Sequence, residues 1–133
     1  SEDLTKFNRL AKEATDIWNQ HLWNIWVHPP LKAPSYAFRF KIVAKDEDPH
    51  FSVKLKDSTR GPYDTEWSRG WIGATVAHEV GHMMGLGDEY NLITGRAKCL
   101  MESLMCNSFN GEPMRHHYYH ILRRLLDHPE NQN

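Results

Sequence analysis

Residues 76–90 read VAHEVGHMMGLGDEY and bring together side chains suited to holding a metal and moving a proton. His78 and His82 are four residues apart, so on a helix they are turned by only about 40° and separated by about 6 Å along the axis. Two imidazoles on one face at that spacing can share one zinc ion at about 2.0–2.1 Å each. Glu79 points to a neighbouring face, near enough to touch a water on that metal without ligating it. A catalytic zinc usually has three protein ligands and one open position. Gly85, three residues past His82, suits a positive-φ residue that ends the helix and turns the chain back. Asp88 follows three residues later with an oxygen able to return to the metal. HExxH also arises by chance, with its His and Glu simply solvated. The apolar neighbours Val76, Ala77, Val80, Met83 and Met84, the glycine stop and the acid set this stretch apart.

Residues 78–90, HEVGHMMGLGDEY, resemble the extended HExGHxxGLxDxY motif of the metzincin zinc peptidases. Most metzincins carry histidine in the third-ligand place. The snapalysin family of small secreted bacterial neutral proteases carries aspartate there, and this chain looks most like that branch. The resemblance implies a small α+β zincin with an N-terminal helix, a small mixed sheet, an active-site helix, a long Met-turn loop and a C-terminal helix. It implies one catalytic zinc on His78, His82 and Asp88, and a protein or peptide substrate. Zinc so held would lower the pKa of its water to about 7 and stabilise the developing oxyanion. Glu79 would take the proton of that water and deliver it to the departing amine.

Tyr90, two residues beyond Asp88, is a candidate donor to the oxyanion, with packing as its ordinary alternative. Tyr118 and Tyr119 are weaker candidates. Glu89 should face away from Asp88, toward solvent or Arg96, so that replacing it leaves metal and activity nearly intact. His116, His117 or His120 folding back from the last helix is the competing source of a third ligand. Two rival functions stand beside the peptidase: a metallopeptidase toxin or effector domain of a larger bacterial protein, and a non-catalytic zinc-stabilised binding module. Glu79 speaks against the module, because a structural zinc has no use for a general base.

The 133 residues suit one domain, with 1–86 carrying the sheet and active-site helix and 87–133 the Met-turn and last helix. Charged residues are 25% and the net charge is −1, which points to no nucleic acid partner. No apolar run approaches the roughly 18 residues of a membrane span. A monomer is expected. The start Ser1-Glu2-Asp3 suits a processed or excised domain; a secreted or exported setting is expected. Cys99 and Cys106 read first as a short-loop disulfide, then as reduced thiols, and last as part of a second metal site.

Several elements must position these groups. Residues 2–27 carry Leu4, Phe7, Leu10, Ala11, Ala14, Ile17, Trp18, Leu22 and Ile25 at helical steps, with Pro29 and Pro30 as the stop. Residues 36–44 alternate, with Tyr36, Phe38, Phe40, Ile42 and Ala44 against Arg39 and Lys41, which predicts a half-buried strand. Residues 51–55 predict a second strand beside it. Either 51–55 or 58–63 would border the cleft and pair with an extended substrate in the metzincin layout. The active-site helix should start between Asp64 and Trp71, capped by Asp64, Thr65 or Ser68. Trp67 and Trp71 read as core or cleft wall. Residues 86–112 form a long loop of the kind that is usually functional. Within it Ser103-Leu104-Met105-Cys106 resembles the Met-turn, with Met101 as the alternative methionine. Residues 113–126 form the last helix, with Met114, His117, Tyr118, Ile121, Leu122 and Leu125 inward and Arg115, Arg123 and Arg124 outward. A solvated surface is the default setting for the neighbouring histidines His116, His117, His120 and His128.

Overall fold

The N-terminal stripe folds as α1 (Glu2–Ile25), which buries Leu10, Ala11, Ala14 and Trp18. In the computed structural model, residues 2–25, 37–63, 65–89 and 101–127 are described. They form a small α+β fold with α2 (Gly73–Met83), α3 (Arg115–Asp127) and two parallel strands, β1 (Lys54–Lys56) and β2 (Glu66–Ser68). Trp18 is where the helices meet. Its indole N–H donates to the Ala77 carbonyl of α2 at 3.0 Å. Its ring lies edge-on to Tyr118 of α3, with centroids 5.5 Å apart. Burying one large apolar side chain of this kind stabilises by about 1.5–3 kcal/mol. Val76, Val80, Leu104, Met105 and Ile121 complete a core directly behind the helix that carries the two histidines.

Several sequence expectations change here. Residues 37–42 keep the alternation, with Phe38, Phe40 and Ile42 turned inward and Arg39 and Lys41 outward, but Ala44, expected inward, is exposed, and the stretch is not a paired strand. Their backbone is taken up by side chains of α1. Phe38 exchanges hydrogen bonds with the Asn19 amide at 2.7 and 2.9 Å, and Thr15 Oγ1 accepts from the Phe40 N–H at 3.2 Å. The second expected strand survives only as β1, displaced toward Lys56, and its partner is β2. Lys54, Leu55 and Lys56 lie opposite Glu66, Trp67 and Ser68. Among the described residues the sheet is therefore parallel and two-stranded, not mixed. That pairing commits residues 66–68, so α2 starts at Gly73 and neither Thr65 nor Ser68 caps it. Ile72 is the N-cap, in an extended conformation with no side-chain cap. The last helix starts at Arg115, two residues later than expected.

Trp67 is core and Trp71 is half-buried beside Tyr63. Tyr36, Asp64, Tyr90, Arg96, Cys99, His128 and the proline stop at 29–30 lie outside the described residues, and with Cys99 the expected disulfide. No helix among the described residues is long and apolar enough to cross a membrane.

Candidate metal centre

α2 ends in a Schellman turn that sets up the site. The Leu86 N–H donates to the Gly81 carbonyl at 3.0 Å and the Gly85 N–H to the His82 carbonyl at 2.9 Å. Gly85 has φ of 97°, a conformation that costs glycine little and other residues more. A Cβ there would also run into the Arg124 guanidinium. Gly85→Ala should destabilise the fold by more than about 1 kcal/mol, read as a lower denaturant midpoint. An unchanged midpoint would remove the turn from any part in setting the site.

The turn matters because its carbonyls aim the histidines. His82 Nδ1 lies 2.8 Å from the Leu86 carbonyl, just past the turn, and His78 Nδ1 lies 2.7 Å from the Leu104 carbonyl. A carbonyl only accepts, so each Nδ1 carries a proton, and in the neutral ring that leaves Nε2 with its lone pair. Burial lowers the pKa of His78, partly opposed by the Leu104 carbonyl, so the ring is neutral near pH 7, as a metal ligand must be.

The two lone pairs face each other, with Nε2 atoms 3.2 Å apart. Asp88 Oδ1 stands 3.1 Å from His78 Nε2 and 3.0 Å from His82 Nε2. With both rings as neutral Nδ1–H tautomers, this buried oxygen faces no hydrogen-bond donor. Three acceptors in mutual contact need a cation or a proton among them. Donors around a tetrahedral zinc, each at 2.0–2.1 Å, stand about 3.3 Å apart. His78, His82 and Asp88 match that donor set and spacing. They could hold a small divalent cation.

Glu79 is 7% exposed, and a carboxylate oxygen lies within 4.8 Å of a nitrogen on each imidazole. That places Glu79 beside the centre. Glu79 and His78 line a cleft of about 180 Å³. Tyr63, Trp71 and Phe109 form its aromatic walls, with Thr75, Ser108 and Cys106 between them. A larger hollow of about 480 Å³ lies along Glu2, Thr5, Lys6 and Arg9 of α1 and includes none of these groups.

Residues 103–106 form a tight turn beneath α2, with the Cys106 N–H donating to the Ser103 carbonyl at 3.1 Å. Of the two candidate methionines, Met105 is the one packed there, fully buried, while Met101 is exposed. A Cβ at Gly81 would stand 2.7 Å from Met105 Sδ and 3.3 Å from the Trp18 ring, so glycine allows this close approach.

Other expected residues are placed differently. Tyr118 is buried, and its hydroxyl donates to the Trp18 carbonyl at 2.6 Å, which removes it as an oxyanion donor. Burial pushes its pKa well up. Tyr119 is exposed. His117 is not solvated but 1% exposed, packed against Trp18. His120 reaches the Gly85 carbonyl at 3.2 Å. Glu89 is half-buried, and its carboxylate meets Ser103, His116 and His117; Arg96 lies outside the described residues. Burial disfavours its charge, but the Ser103 hydroxyl and His116 hold its pKa below the usual carboxylate range.

What sequence reasoning missed are the two backbone carbonyls, of Leu86 and Leu104, that fix the histidine tautomers. The glycine stop was the one local signal for the first; the second depends on a contact across 26 positions. No family model, curated protein or solved structure matches the chain.

Proposed function

We propose that the protein is a zinc-dependent endopeptidase. The observation that carries this reading is the convergence of His78 Nε2, His82 Nε2 and Asp88 Oδ1 within 3.2 Å, with buried Glu79 beside them at the edge of an open cleft. The likeness of residues 78–90 to the metzincin motif supports it. A zinc ion bound there supplies Lewis-acid activation of water and of the scissile carbonyl. The chain supplies the rest. Leu86 and Leu104 hold the imidazoles in the ligating tautomer. Glu79 accepts a proton from the attacking water and returns it to the leaving amine. Tyr63, Trp71 and Phe109 offer apolar walls to a substrate side chain beside the scissile bond.

Protein purified without added metal should contain about one equivalent of zinc and cleave casein. A chelator should abolish cleavage, and one equivalent of zinc should restore it. Failure to take up a divalent transition metal on titration would end the reading. Uptake without cleavage of casein or a peptide library would leave only a metal-binding module.

A further inference from the structure

We propose that Glu89 is a positioning residue, a clamp that holds the Asp88 segment against the same turn that orients His78. The inference rests on the metal centre proposed above. Asp88 points at the imidazoles, and Glu89 points at residues 103–117. The Glu89 backbone N–H donates to the Met105 carbonyl at 3.1 Å. One side-chain oxygen, Oε1, accepts from the Ser103 hydroxyl, and Oε2 lies 2.6 Å from His116 Nε2.

His117 closes the network. The Met114 N–H donates to His117 Nδ1 at 2.9 Å, so the proton of this neutral ring sits on Nε2. That Nε2–H faces Glu89 Oε1 at 3.4 Å and Ser103 Oγ at 3.3 Å. Glu89, His116 and His117 are grouped tightly enough to suggest a second metal site. The tautomer of His117 argues against one, because its Nε2 carries a hydrogen where a ligand needs a lone pair. The cluster is a hydrogen-bonded clamp. Ser103 opens the turn whose next residue, Leu104, offers its carbonyl to His78. A single carboxylate thus ties the segment bearing the oxygen ligand to the turn that aims the first nitrogen ligand. This replaces the expectation that Glu89 is silent.

Outer groups that orient metal ligands typically contribute 10–100-fold to metal affinity. The test is chelator competition for zinc, together with the visible absorption of the cobalt-substituted protein. Wild type, Glu89→Ala, Glu89→Gln and Asp88→Ala are compared, with melting points of the metal-free forms. Glu89→Ala should weaken zinc by about 10–100-fold and alter the cobalt bands. Glu89→Gln, which keeps an acceptor toward Ser103 and His117, should recover most of the loss. Wild-type zinc affinity and cobalt bands in Glu89→Ala, a glutamine variant as weak as alanine, or a second equivalent of zinc in the wild type would each overturn the clamp. Should Glu89→Ala fail to fold, Ser103→Ala removes one hydroxyl from the same network, and an unchanged affinity there overturns it equally. Wild-type affinity in Asp88→Ala would instead remove Asp88 from the metal centre, and the clamp with it.

Discussion

Glu79→Ala should keep its fold and its zinc while losing about 10²–10⁴-fold in kcat, the range typical of a general acid–base group. Glu79 lies on α2 between the two histidines in sequence, with a carboxylate oxygen within 4.8 Å of a nitrogen on each imidazole. Its carboxylate lines the cleft where a substrate carbonyl would enter. Removing it should therefore leave the affinity for metal near wild type and strip out the proton transfer. Glu79→Gln is the sharper variant, since it preserves shape and hydrogen bonding but cannot accept the proton. Both are to be assayed at matched zinc content, so that a loss of metal is not read as a loss of chemistry. Turnover within about tenfold of wild type in a fully loaded variant would take Glu79 out of the role.

The residues of that experiment could be read from the sequence because their relation is local. Positions 78 and 82 share a helix face whatever the rest of the chain does, and Gly85 announces the stop through its own backbone freedom. The spacing from His82 to Asp88 likewise needs only one short turn. What could not be read depends on partners far along the chain. Alternation at 37–42 records that one side faces the core, but it is blind to whether the backbone pairs with a strand or with Asn19 and Thr15 on a helix. The start of α2 was misjudged because residues 66–68 are committed by pairing with 54–56, and cap signals carry no trace of that contact. Alternation put Glu89 opposite Asp88, as it should. It could not say that the opposite side would meet Ser103 and His117 rather than water.

Asp88→Ala should produce two effects of opposite sign, and together they separate a ligand from an ordinary structural acid. Its Oδ1 is buried without a hydrogen-bond partner, 3.0–3.1 Å from two nitrogens that also present lone pairs. Leaving a buried polar atom unsatisfied costs about 1–3 kcal/mol, and more where charge is involved. Metal-free Asp88→Ala should therefore unfold at the same denaturant concentration as metal-free wild type or at a higher one. Zinc should reverse the order. A ligand present at 100 times its dissociation constant stabilises the folded state by about 2.7 kcal/mol, and wild type should gain this in full. With two imidazoles and no oxygen donor, the variant should gain little at the same zinc concentration. Denaturant midpoints for both proteins, with chelator and with zinc, measure all four quantities. An alanine variant that is less stable without metal and still stabilised like wild type by zinc would mean that Asp88 serves the loop alone. The third ligand would then have to be sought elsewhere, beginning with Glu79, whose carboxylate lies within 4.8 Å of both imidazoles.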